Sequence, residues 1–124
     1  MADLKGVLVD TDVLIDVSRG KPQALDLFDD MSREKPPIFI SVISAMELMV
    51  GARNKKEVQE IEGFLANYRL LALTEDISHK AYELVKTYAK SHGLEIPDAL
   101  IAASAVSNDL GLATTNKVLF CEYH

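Results

Sequence analysis

Four short apolar runs, GVLVD (6–10), IFIS (38–41), LLAL (70–73) and LATT (112–115), are separated by longer stretches whose apolar residues recur every three or four positions. This alternation constrains the fold more than any other feature of the chain. A short run without polar interruption suits a strand covered on both faces, and the longer period suits amphipathic helices. Strands alternating with helices predict an α/β domain with parallel strands joined by right-handed crossovers. With 124 residues and no repeat, low-complexity tract or linker, the chain reads as one domain, 1–124.

The punctuation between the runs predicts the helices. Asp12 is expected to cap the start of DVLIDVSRG and Gly20 its end. In KPQALDLFDDMSRE, Pro22 occupies a first turn and Ala24, Leu25, Leu27, Phe28 and Met31 share a side, until Pro36 and Pro37 forbid continuation. SAMELMVGA follows the second strand as a helix. Asn54 and Glu57 have the spacing of a capping box opening KKEVQEIEGFLANY, striped by Val58, Ile61, Phe64, Leu65 and Tyr68. Ile77, Ala81, Leu84, Val85 and Tyr88 mark a further helix ending at Gly93, and PDALIAASAVSNDLG marks the last, expected to close at Gly111.

Charge and composition remove several function classes. The chain carries 13 Lys and Arg against 19 Asp and Glu, a formal net charge of −6, which argues against nonspecific nucleic-acid binding as the main role. A cluster of those acids around a divalent cation would invert the local field and admit a phosphate. Cys121 is the single cysteine, so no intrachain disulfide is expected, and a reducing, cytoplasmic setting fits. MADLKGVLVD lacks the pattern of a signal peptide, and IFISVISAMELMVGA, interrupted by Glu47, falls short of the roughly 20 apolar residues of a membrane span.

Three acids stand where chemistry is expected. In parallel sheets the ligand crevice opens at the carboxyl ends of strands, and Asp10 sits at such an end, the plainer alternative being that Asp10 or Asp12 merely caps the following helix. Glu47 lies among apolar neighbours: it is either reaching back to a backbone amide from capping-box spacing with Ser44, or bound to something, because an unpaired buried charge costs several kcal/mol. Asp98 follows Pro97 at a helix start, as a cap or dipole partner or as a site residue drawn to the sheet by the small-residue helix behind it. Two carboxylates about 5 Å apart repel by roughly 3 kcal/mol at an effective dielectric of 20. A hard divalent cation would relieve such a set, and oxygen ligands favour Mg²⁺ or Mn²⁺ over zinc. His79, His92 and His124 have no ligand spacing and read as surface residues.

VLVDTDVLID, SVISAMELMVGA, IPDALIAASAV and LATTN, in that order and covering almost the whole chain, resemble the PIN domain family, in particular its VapC-type toxin ribonucleases. The resemblance implies a three-layer α/β/α fold around a parallel sheet of four to five strands. It also implies a metal-dependent ribonuclease in which Asp10, Glu47 and Asp98 are catalytic and, with Asn116, hold Mg²⁺ or alternatively Mn²⁺. Thr11, Thr115 and Arg53 are the expected substrate contacts, with Thr114 or Thr115 positioning water or phosphate. A homodimer, an RNA substrate and an antitoxin partner are implied as well. The sequence departs from the family where Leu119 precedes Phe120 instead of an acid or histidine, and in stopping before a closing strand.

Two other readings compete. Apolar strand followed by D-x-D also opens haloacid dehalogenase-like phosphatases, which need a downstream lysine and a later acidic pair; the adjacent acids here, Asp29 with Asp30 and Glu75 with Asp76, fall in helical contexts. A dimeric binding module with a vestigial acidic site is the other, since helices rich in Ala, Val, Leu and Met serve a partner as readily as a core.

Overall fold

The computed structural model describes residues 5–33 and 37–114. Its order is β1 (Gly6–Val9), α1 (Thr11–Ser18), α2 (Pro22–Arg33), β2 (Ile38–Ser41), α3 (Val42–Val50), α4 (Lys55–Leu65), β3 (Arg69–Leu71), α5 (Glu75–His92), α6 (Ile96–Ser107) and β4 (Leu110–Ala113). The four strands pair in parallel in the order β3-β2-β1-β4. The parallel α/β architecture expected from the apolar runs is therefore present, with β1 and β2 central.

Side chains alternate across the pleat of β1 and so divide the core in two. Val9 packs with Val13, Leu14, Phe28, Ile38 and Ile40 on the face covered by α1, α2 and α4. There Tyr68 meets the rings of Phe28 and Phe64 at centroid distances of 5.4 and 5.3 Å. Leu8 points the other way, onto Ile101 and Ala105 of α6. Behind these, Ala99, Ala102 and Ala103 let α6 approach Ile77 and Ala81 of α5 closely, as the small-residue composition of that helix leads one to expect. Among the described residues no helix is long and apolar enough to cross a membrane.

Several local expectations are corrected. Asp10, not Asp12, caps α1: its side chain accepts from the Thr11 N–H, and Asp12 falls in the first turn. The α3 helix starts earlier than SAMELMVGA, with Ser41 as its cap accepting from the Ile43 N–H. Ser44 thus lies inside the helix, and a capping box with Glu47 does not form. Gly111 does not close α6. It lies in β4 opposite Val7, and the turn is made by Asn108 and Asp109, the latter at φ 54°, a left-handed conformation that aspartate tolerates. β3 begins one residue before LLAL, and β4 two residues before LATT.

Other boundaries fall as read. Gly93, at φ 68°, ends α5, and the Asn54 side chain accepts from the Glu57 N–H at the start of α4. The stripe of α4 is only half-buried, and none of its residues is fully enclosed. Residues 115–124 lie outside the described residues, so the expectations for Thr115, Asn116, Leu119, Phe120, Cys121 and His124 do too.

Candidate active site

Strand register builds the site. Val9 of β1 pairs with Ala113 of β4, so the residues that follow each strand, Asp10 and Thr114, emerge side by side at the carboxyl edge of the sheet. The Asp10 N–H donates to the Ala113 carbonyl at 2.9 Å, and the Thr114 hydroxyl donates to Asp10 Oδ2 at 2.6 Å. Asp10 Oδ1 accepts from the Thr11 N–H at 2.8 Å. The backbone on both sides of this carboxylate is thereby committed to holding it.

β2 lies beside β1 in register, so α3, which follows β2 directly, begins at the same edge. Its Ser44 and Glu47, three residues apart and therefore on one face of the helix, both reach Thr11. The Thr11 hydroxyl lies 2.7 Å from Ser44 Oγ and 2.8 Å from Glu47 Oε1. Thr11, expected to contact substrate, thus stands between the two acids, with its amide on Asp10 and its hydroxyl on Glu47.

Electrostatics at Asp10 are unfavourable to its charged form. The residue is 2% exposed, and burial pushes its carboxyl above the usual value of 3.8, against the opposing pull of the Thr114 and Thr11 hydrogen bonds. The neighbouring charges of Asp12 and Glu47 push the same way. Among the described residues no lysine or arginine pairs with Asp10. Carboxylate oxygens of this kind match the ligand preference of a hard divalent ion.

Glu47 is exposed, unlike the enclosed glutamate its apolar neighbours in sequence suggest. Asp98 is half-buried in the first turn of α6. It is not the cap: Glu95 holds that position without a side-chain hydrogen bond, and Pro97 occupies the first turn. α6 runs about 18 Å and delivers its last residues to the start of β4, so its first turn belongs to the carboxyl edge of the sheet. The topology therefore brings α3, which bears Glu47, and the first turn of α6, which bears Asp98, to the edge where Asp10 emerges. Among the described residues, however, no three acidic, histidine or cysteine side chains close to a distance at which they could hold one ion.

Arg53 stands in the loop after α3, where its guanidinium donates to Glu57 Oε2 through Nε at 3.0 Å and Nη2 at 2.8 Å. It is engaged on its own helix entry. Ser44 is the site residue that sequence reasoning missed, having weighed it only as a capping-box partner of Glu47. The available signal was a pair of serines, Ser41 and Ser44, in an otherwise apolar run, since fully buried hydroxyls require partners.

A parallel sheet covered on both faces, with an aspartate buried at its carboxyl edge, defines an open-sheet α/β protein. The sequence matches the PIN domain family over residues 7–123, and the chain belongs to that family. Ribonuclease VapC10 of Mycobacterium tuberculosis is 40% identical over 111 residues, 89% of this chain and 82% of the relative. Ribonuclease VapC19 of the same organism is 34% identical over 110 residues, 88% of this chain and 87% of the relative. Among solved structures, a toxin-antitoxin complex from Klebsiella pneumoniae contains a chain 32% identical, with a TM-score of 0.77, covering 90% of this chain and 88% of that one. DNA-bound VapBC from Salmonella typhimurium shares the fold with a TM-score of 0.80, at 22% identity over 94% of this chain and 91% of that one.

Proposed function

We propose that this chain is a metal-dependent ribonuclease that cleaves RNA phosphodiester bonds, acting in the cytoplasm as the toxin of a toxin-antitoxin pair. Asp10, Glu47 and Asp98 are its catalytic carboxylates and hold Mg²⁺ or Mn²⁺, with Asn116 as a further ligand position. The observation that carries the reading is the buried Asp10, tied to Glu47 through Thr11 at the carboxyl edge of a PIN domain. The identity shared with the VapC10 and VapC19 ribonucleases supports the reaction, and the toxin-antitoxin complex at 32% identity supports the partner.

When bound, a divalent cation lowers the pKa of its water and steadies charge on the scissile phosphate. The residues of the chain prepare that chemistry. Thr114 and the Thr11 amide fix the direction of the Asp10 carboxylate, and burial keeps competing water from it. Each of its two oxygens retains capacity to accept beyond the one hydrogen bond it takes. In this reading Asp10, Glu47 and Asp98 would hold the ion, whose charge would offset their mutual repulsion. Thr115 and Arg53 remain proposed substrate contacts; for Arg53 this requires release from Glu57.

Homodimerisation belongs to the same proposal. Met46 and Val50, one turn apart on α3, are 49% and 87% exposed, an apolar pair suited to a protein surface. The haloacid dehalogenase-like alternative loses ground, because Asp29, Asp30, Glu75 and Asp76 are exposed and remote from the end of β1 in sequence and element.

The test is cleavage of a single-stranded RNA in Mn²⁺, by wild type and by Asp98→Asn. We expect cleavage that stops with EDTA and is absent from the variant, whose circular dichroism stays unchanged. Cleavage persisting in EDTA would remove the metal from the proposal, and release of inorganic phosphate from a small phosphomonoester would favour the phosphatase.

A further inference from the structure

The two acids at the head of the site differ in how they are held. Asp10 is enclosed and fixed by two donors. Glu47 is exposed, on a long side chain whose rotamer freedom must be suppressed before it can serve as a fixed ligand. Its hydrogen-bond partner among the described residues is the Thr11 hydroxyl, at 2.8 Å. Thr11 itself is 6% exposed and branched at Cβ, hence stiff about its first side-chain torsion.

Proton counting fixes the direction of the chain of hydroxyls. Thr11 has one hydroxyl proton and two neighbours, Ser44 Oγ at 2.7 Å and Glu47 Oε1 at 2.8 Å. An ionised carboxylate can only accept. The Thr11 proton therefore goes to Glu47, and the fully buried Ser44 donates its own to Thr11. A threonine inside a helix commonly turns its hydroxyl to a carbonyl one turn back. Thr11 opens α1, where no such helical carbonyl precedes it, so its hydroxyl is free to cross to α3.

We propose that Thr11 is a positioning residue that serves both carboxylates at once, its amide orienting Asp10 and its hydroxyl, backed by Ser44, holding Glu47 toward Asp10. The inference rests on the proposed metal site. It assigns to the chain a preorganising element: one rigid residue sets the separation of two ligands that come from different helices. Losing such a partner of a metal ligand commonly lowers metal affinity about 10–100-fold.

The test is calorimetric titration of Mn²⁺ into the protein without RNA, alongside thermal melting. Thr11→Val keeps the amide and the shape but removes the hydroxyl, and we expect Mn²⁺ affinity to fall about 10–100-fold. Thr11→Ser should restore most of it. Because Thr11→Val leaves the Ser44 hydroxyl buried without its acceptor, the melting temperature should fall, and the double variant Thr11→Val/Ser44→Ala should recover melting temperature but not Mn²⁺ affinity. A purely structural hydroxyl pair would recover both, which overturns the inference, as would a Thr11→Val protein that is folded and binds Mn²⁺ like wild type. Saturable binding by wild type that is lost in Glu47→Gln shows that the underlying site stands. Wild type without saturable binding would overturn that site, and this inference with it.

Discussion

At the carboxyl edge of the sheet the polar residues withdrawn from water are Asp10, Thr11, Ser41 and Ser44; along α6 the buried residues are Ala99, Ile101, Ala102, Ala103, Ala105 and one polar residue, Ser104, whose hydroxyl donates to the Leu100 carbonyl within the helix. Burial is equally deep in both regions, and its energetic sign differs. Along α6 it removes apolar surface from water at roughly 25 cal/mol per Å² and stabilises the fold. At the edge every buried polar side-chain atom among the described residues has a partner, so little is lost to unmade hydrogen bonds. What is lost there is charge solvation, at Asp10. Burial along α6 therefore stabilises the domain, whereas burial at the site costs it the solvation of one carboxylate.

Substitutions that exchange the properties of the two regions test this division, beginning with the apolar side. Ile101→Ala, at a residue packed on Leu8 and Leu110, should cost about 2–5 kcal/mol, read as a lower urea midpoint. A loss near zero would mean that α6 is not the core layer described. Ala102→Leu asks whether the small residues are required by the close approach of α5. Extra side-chain volume there should cost about 1–3 kcal/mol by overpacking, measured the same way, and a neutral result would show slack between the helices.

The smallest effect, and the one of opposite sign, belongs to the edge. Asn replaces Asp well as a helix cap, so Asp10→Asn keeps the bond from the Thr11 N–H while removing the buried charge. Since the folded state raises the Asp10 pKa above 3.8, folding favours the protonated form. The metal-free wild type therefore loses stability as pH rises from that value through the raised one, and carries the full deficit above it. Asp10→Asn has no such deficit. Its melting temperature without metal should exceed that of wild type at neutral pH, with the difference shrinking as pH approaches 3.8. Added Mn²⁺ should reverse the order, because only wild type gains from the ion. A variant less stable than wild type at neutral pH without metal would identify Asp10 as a structural cap alone.

Much of the architecture was legible because it depends on short-range patterns. IFIS coincides with β2, Gly93 terminates α5, and Asn54 caps α4, since periodicity, a left-handed glycine and a side-chain cap act over one turn of chain. Misreadings arose where two residues competed for one local role. Asp10 and Asp12 both suit the start of α1, and Gly111 has the local character of a stop for α6 but is drawn into β4 by pairing with β1. A ladder of hydrogen bonds to a strand more than 100 positions away outweighs a local preference for ending a helix at glycine.

The sequence by itself determined the alternation of strands and helices, the small-residue face of α6 and the presence of acids near three element boundaries, because side-chain size, periodicity and charge are properties of each stretch alone. Only the tertiary structure decided that Thr114 would hold Asp10 and that Thr11 and Ser44 would reach Glu47. Those contacts join residues 104, 33 and 36 positions apart, and nothing local sets them. Parallel register does, by lining up the ends of β1, β2 and β4 so that whatever follows each strand must share one edge.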